Sequence, residues 1–333
     1  LNSSGFSQQD RTIKKVKARG YDKMPKTGWL PVTVPGAPAA WSNLVNKFGN
    51  LDMKEVLEPA INYAKEGYPV SPTLSKFWKR AYEKYKKMLE GEQFQSWFDT
   101  FTINGKPPKA GQIWSSQAHA ETLQLIAETN SEAFYQGKLA DKIDSYSKKY
   151  DGFLRKEDLN DYYPEWVEPI NVNYKGYNVW EIPPNGQGLV ALMALNILNG
   201  FEFKAKDTIE TYHKQIEALK LAFSDGKKYI TDINKMKVTV NDLLSKEYTT
   251  TRRNLIKEEA LTPKPGNLNK GGTVYLAAAD KEGNMVSYIQ SNYMGFGSGL
   301  VVPNTGIALQ NRGHSFSLDK NHHNHLEPHK KPY

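Results

Sequence analysis

The apolar spacing changes period along this 333-residue chain, and the order of the change limits the folds open to it. After an irregular opening over residues 1–35, apolar residues recur at helical spacing. Leu51, Met53, Val56, Leu57, Ala60, Ile61 and Ala64 keep a 3.6-residue period, with Asn50 as the expected cap and Pro59 expected to divide the helix. Residues 76–88, 118–129 and 131–146 read as further helices, and 159–164 as a loop. The period then shortens to two. Residues 170–174 and 177–180 are predicted strands around the turn pair Lys175-Gly176. An apolar helix over 189–198 ends at Gly200, and 208–223 is amphipathic, with Ile209, Tyr212, Ile216, Leu219 and Phe223 on one face. A Pro/Gly/Asn linker from Pro263 to Asn269 leads into a section of β character. Strands over 273–279 and 285–291 flank Lys281-Glu282-Gly283-Asn284, and 300–303 and 306–310 follow. Helices first, a mixed middle and strands last point to an α+β layered fold rather than a regular βαβ alternation.

Composition narrows the function classes. Hydrophobic residues make up 39% and charged residues 24%, which suits a globular domain. The net charge of +8 is spread along the chain and interleaved with acids, so a mildly cationic solvated surface is favoured and nucleic acid is not an expected partner. Cysteine is absent, which removes disulfides, thiolate nucleophiles and cysteine metal sites. No apolar run approaches the ~20 residues that span a bilayer. The chain opens on Leu1 and a polar Asn2-Ser3-Ser4-Gly5 stretch, so truncation at both ends is expected, with any signal peptide lost and a cytoplasmic location as the default.

Several generic sites fall away. Gly295-Phe296-Gly297-Ser298-Gly299 lacks the strand-helix context and spacing of a nucleotide cradle, so close backbone approach explains it better. His322, His323, His325 and His329 sit in a polar, Lys-rich end that reads as a solvated tail rather than a metal site. His119 and His213 lie on helices and read as ordinary satisfied histidines. No G-x-S-x-G is present, which leaves Ser, Thr, Lys and carboxylates as nucleophiles.

Thr273 is distinctive because it follows Gly271-Gly272 and opens the strand Thr273-Val274-Tyr275-Leu276-Ala277-Ala278-Ala279. The segment continues through Asp280-Lys281-Glu282-Gly283-Asn284 to Ile289-Gln290-Ser291-Asn292-Tyr293-Met294 and the glycine loop. It resembles the start of the small subunit of γ-glutamyltranspeptidases. Val34-Pro35-Gly36-Ala37-Pro38, Glu58-Pro59-Ala60-Ile61, Pro183-Pro184-Asn185-Gly186-Gln187-Gly188 and His213-x-x-Ile216-Glu217-Ala218 resemble large-subunit motifs of the same family, in the same order.

That resemblance implies an N-terminal-nucleophile hydrolase with a four-layer αββα sandwich. It implies self-cleavage between Gly272 and Thr273, giving a large-subunit portion over 1–272 and a small-subunit portion from 273. Thr273 is then the nucleophile, Ser291 the hydroxyl that supports it, and Asn311, Arg312, Tyr293 and Ser315 the donor-binding set. The implied substrate is a γ-glutamyl or related amide, with water, an amino acid or a peptide as acceptor, and no cofactor. Three departures from the family pattern matter. The family's carboxylate-binding arginine is expected upstream of Leu1, and its oxyanion-hole glycines beyond Tyr333, so residues 1–333 alone are expected to be inactive. Glutathione-using members carry Asp-Asp-Phe where this chain has His314-Ser315-Phe316, and Asn or Glu where it has Tyr293. An acylase acting on other amides and a non-catalytic binding protein are the rival expectations.

Overall fold

The computed structural model describes residues 1–263 and 273–333. The linker expected to end at Asn269, and Gly271 and Gly272, fall outside the described residues. The chain packs as two units, one from Gly5–Pro164 with Lys270–His314, the other from Leu1–Ser4, Glu165–Asn269 and Ser315–Tyr333. Each unit therefore holds residues from both sides of position 273.

The first unit is mainly helical. Its elements are α1 (Ile13–Ala18), α2 (Ala37–Phe48), α3 (Met53–Glu66), β1 (Tyr68–Pro69), α4 (Pro72–Met88), α5 (Gln95–Phe101), β2 (Ile113–Trp114), α6 (Gln117–Glu128), α7 (Glu132–Tyr135), α8 (Lys138–Lys149) and α9 (Lys156–Asn160). Two late strands, β5 and β6, belong here too and are described with the site. The cap of α3 is Asp52, whose carboxylate accepts from Lys54 and Glu55 N–H while Glu55 reaches back to Asp52, rather than Asn50. Pro59 does not divide this helix. Its missing N–H frees only the Glu55 carbonyl, on an exposed face where water can satisfy it. Serines cap α4 and α6 in the same manner as Asp52. Short α1 lies where irregular chain was expected, α9 runs into the start of the expected 159–164 loop, and the predicted 131–146 helix is broken at Gly137 into α7 and α8. The core is aromatic. Trp97 stacks on Tyr85 with centroids 5.1 Å apart, and Phe296 from the glycine loop meets Trp97 and Phe101 at 5.3 and 4.7 Å.

The second unit holds β3 (Ile170–Tyr174), β4 (Tyr177–Glu181), α10 (Gly188–Asn199), α11 (Ile209–Tyr229), α12 (Val240–Leu244) and α13 (Lys246–Arg253). The expected hairpin forms in register Val172↔Val179, with Lys175 and Gly176 both at positive φ as a tight turn requires. Apolar α10 packs against α11 and is buried through Leu189, Val190, Met193 and Ala194. Of the expected apolar stripe of α11, Phe223 packs against the core, whereas Ile209, Tyr212, Ile216 and Leu219 are exposed and Ala218, Leu221 and Ala222 are buried instead. The small side chains allow close approach to α10, and that contact outranks the stripe. The His- and Lys-rich end, expected to be solvated, is instead packed. Leu326 and Asn324 are buried, and the Lys330 ammonium is held 2.7 Å from the His323 carbonyl and 3.5 Å from Glu327.

Candidate active site

The strands β5 (Thr273–Ala279) and β6 (Met285–Ser291) form an antiparallel hairpin. Its turn fixes the register. Asp280 accepts from Asn284 N–H at 2.9 Å and from the Asn284 amide at 2.8 Å, which holds the Asp280 carboxyl below its ordinary pKa, and Gly283 takes φ of 88°. With side chains alternating every residue, a one-residue slip would reverse both faces. The observed register places Thr273 directly opposite Ser291, and Val274 opposite Gln290.

Beyond Ser291 the backbone turns sharply. Tyr293 adopts φ of 70°, a left-handed conformation uncommon outside glycine, and its N–H donates to Ser291 Oγ at 2.9 Å. Asn311 is buried and clamps the same loop. Its Oδ1 accepts from Met294 N–H at 3.2 Å, its Nδ2 donates to the Lys26 carbonyl at 2.7 Å, and its own N–H donates to the Asn292 carbonyl. The glycine loop then returns along the chain. Gly297 takes φ of 70°, and a Cβ there would collide with the Leu309 carbonyl, which identifies close backbone approach as the reason for glycine. Tyr85 fastens the loop from below, its hydroxyl donating to the Gly297 carbonyl at 3.0 Å. Burial pushes the Tyr85 phenol up to about 12.

Arg312 places its guanidinium 4.8 Å from the centre of the Tyr293 ring, a cation–π distance. His314 lies against the same ring at 6.1 Å, and its Nδ1–H donates to the Met24 carbonyl at 2.7 Å. Thus β5, β6 and the 292–299 and 309–314 segments bring Thr273, Ser291, Tyr293, Asn311 and Arg312 into one unit. Ser315 closes the short turn Arg312–Ser315 and is counted with the other unit, where its carbonyl accepts from Asn324 at 2.9 Å. A cavity of about 480 Å³ elsewhere in the first unit, between Ser96, Asp99, Ser116 and Asn304, includes none of these residues. Among the described residues no group of three or more His, Asp or Glu is placed to hold a metal ion.

Two features of the site carried no signal in the sequence. One is the use of Asn311 as a clamp on backbone groups 17 and 285 residues away. The other is the Tyr85 hydroxyl beneath the glycine loop, 212 residues distant along the chain.

The Gamma-glutamyltranspeptidase family profile matches residues 1–333. A glutathione hydrolase-like YwrD proenzyme of Bacillus subtilis is 36% identical over 99% of this chain and 62% of its own length. An oxamate amidohydrolase proenzyme of Klebsiella pneumoniae is 31% identical over all of this chain and 63% of its own length. The crystal structure of a cephalosporin acylase from Bacillus halodurans superposes with a TM-score of 0.96 at 60% identity, covering 100% of this chain and 62% of the acylase chain. The chain thus spans a little over three fifths of the length of these relatives, and its α+β fold is theirs.

Proposed function

The chain belongs to the γ-glutamyltranspeptidase family of N-terminal-nucleophile hydrolases, and on that footing we propose that the protein cleaves itself between Gly272 and Thr273 and then uses Thr273 to break γ-glutamyl or related amide bonds. The observation that carries this reading is the register of the hairpin, which sets Thr273 at the very start of β5 with Ser291 directly across from it. Directly opposed residues are the nearest cross-strand neighbours on one face of a hairpin. Ser291 Oγ accepts the Tyr293 N–H, which fixes its side chain at the end of the hairpin.

In the precursor, the Thr273 hydroxyl attacks the Gly272 carbonyl, the peptide bond converts to an ester, and water releases the two portions 1–272 and 273 onward. The freed α-amino group then serves as base. Its reference pKa of ~7.7–8.0 suits it to take the hydroxyl proton near neutral pH. Attack on a substrate amide gives an acyl-enzyme on Thr273 and expels the amine, and water or a second amine resolves the ester. Asn311 shapes the loop behind the nucleophile, while Arg312 and Tyr293 form the ledge that meets the acyl group. Comparing wild type with Thr273→Ala by intact mass tests the first step. Cleavage of the alanine variant at the same bond would show that an external protease is responsible.

A second specific observation bears on the substrate. Where glutathione-using members have Asp-Asp-Phe, this chain has His314-Ser315-Phe316. A donor with a free α-ammonium needs an anion in a partly desolvated site, and a serine hydroxyl supplies only a neutral hydrogen bond. We therefore favour amides whose acyl group lacks a free α-amino group over glutathione. The relatives named as an acylase and an oxamate amidohydrolase are compatible with that preference.

A further inference from the structure

The face of β6 that carries Tyr288 and Gln290 is joined to a single tryptophan. Trp41, in α2, points its Nε1–H at Tyr288 Oη, 2.9 Å away, and at Gln290 Oε1, 3.3 Å away. The Tyr288 hydroxyl donates in turn to Gln290 Oε1 at 2.8 Å. The three groups close a small ring in which the one indole donor is shared, the tyrosine both accepts and donates, and the glutamine oxygen accepts twice. Partial burial raises the Tyr288 pKa, which keeps its hydroxyl protonated as this arrangement requires.

The position of the ring gives it consequence. Gln290 is paired across the hairpin with Val274, the residue after Thr273, and Tyr288 with Leu276. The helix α2 that carries Trp41 is well fixed. Ala39 and Ala40 are buried, Ala39 N–H donates to Tyr135 Oη at 3.2 Å, and Ser131 Oγ donates to the Pro38 carbonyl at 2.7 Å. Trp41 therefore joins a well-packed helix to the hairpin that carries the Thr273–Ser291 pair.

We propose that Trp41 is a positioning residue, which through Tyr288 and Gln290 sets the placement of Thr273 and thereby the rates of self-cleavage and of acyl transfer, without touching substrate. This rests on the reading of Thr273 as nucleophile. A displacement of about 1 Å at a reacting group costs on the order of 10²-fold in rate, so a hydrogen bond to Gln290, across the hairpin from the residue next to the nucleophile, has leverage far beyond its stabilising effect.

The test uses the full-length protein. Trp41→Phe keeps an aromatic ring and deletes the N–H. Tyr288→Phe deletes the hydroxyl and keeps the ring. Conversion of precursor to the chain starting at Thr273 is followed by intact mass, and kcat and KM are measured with chromogenic γ-glutamyl and glutaryl anilides. Trp41→Phe should slow conversion by about tenfold or more and lower kcat similarly, with KM within about twofold of wild type and an unchanged melting temperature. Tyr288→Phe should show a smaller loss of the same kind, and the double variant should be no worse than Trp41→Phe, because both remove one unit. Wild-type conversion and turnover in both variants would overturn the proposal, as would losses that multiply in the double variant or a raised KM at unchanged kcat. Should Trp41→Phe fail to fold, Tyr288→Phe and Gln290→Leu decide alone by the same criteria. The two failures separate cleanly. Self-cleavage by Thr273→Ala sinks the nucleophile assignment, whereas a dead Thr273→Ala beside an unaffected Trp41→Phe sinks only the latch.

Discussion

Replacing Asn311 by alanine should loosen the loop behind the nucleophile by a predictable amount. The side chain makes two bonds to backbone groups: it accepts from Met294 N–H at 3.2 Å and donates to the Lys26 carbonyl at 2.7 Å. Residue 26 is exposed and residue 294 half-buried, so the two orphaned groups differ in cost. The Lys26 carbonyl can turn to water, and losing its bond should cost about 0.5–1.5 kcal/mol. The Met294 N–H is less accessible and carries most of the penalty of an unsatisfied donor, about 1–2 kcal/mol. Together these give roughly 1.5–3.5 kcal/mol, read as a lowered urea midpoint at unchanged slope. The measurement is cleanest in a Thr273→Ala background, where the chain stays whole. Asn311→Asp should do no better than alanine, because it keeps the acceptor for Met294 but faces the Lys26 carbonyl with a second oxygen. A midpoint shift below about 0.5 kcal/mol, together with a tenfold rise in KM in the active enzyme, would refute this reasoning and return Asn311 to direct substrate contact.

Further outcomes follow from the same geometry. Ser291→Ala should retain self-cleavage but slow it, by about 10-fold or more, since the opposed hydroxyl assists without itself attacking; an unchanged rate in the mass assay would count against the pairing. Tyr85 binds its proton more tightly folded than unfolded, so its stabilising effect is fully present below pH 10.0 and is lost as pH rises toward about 12. Tyr85→Phe should remove that alkaline loss between pH 10 and 12 in urea titrations, and a wild-type alkaline profile in the variant would contradict it. Ser315→Asp should raise kcat/KM for glutathione while leaving an N-acylated or glutaryl analogue unimproved. A wild type that already prefers glutathione by tenfold would mean another group supplies the anion.

Much of the scaffold was legible because it is local. The 3.6-residue spacing around Met53 and Ala64, the apolar run of α10, and the turn residues Lys175-Gly176 and Asp280–Asn284 each specify structure within a few residues of themselves. Reading failed where long-range packing chose among local options. The stripe Ile209-Tyr212-Ile216-Leu219 has the pattern of a buried face, yet Ala218 and Ala222 meet α10 because small side chains let the helices approach. The 300–303 and 306–310 segments, expected as strands, keep only the bridge Val301↔Ala308. At the site, Thr273 and Ser291 are marked by the Gly-Gly-Thr junction and strand motif. Asn311 is a donor-binding candidate by resemblance, but its clamp on distant backbone groups left no mark in the sequence, and neither did the contacts of Trp41. Its partners lie 247 and 249 residues away, and no periodicity records such a contact.

The central claim is that Thr273 is both scissile-bond attacker and mature N-terminus. Intact-mass measurement with N-terminal sequencing of purified full-length wild type and Thr273→Ala tests it most directly. The account predicts that wild type yields a chain beginning Thr-Val-Tyr-Leu, residues 273–276, while Thr273→Ala remains a single chain. A wild type that stays whole yet hydrolyses amide substrates, or an alanine variant that still yields a chain starting at position 273, would contradict it.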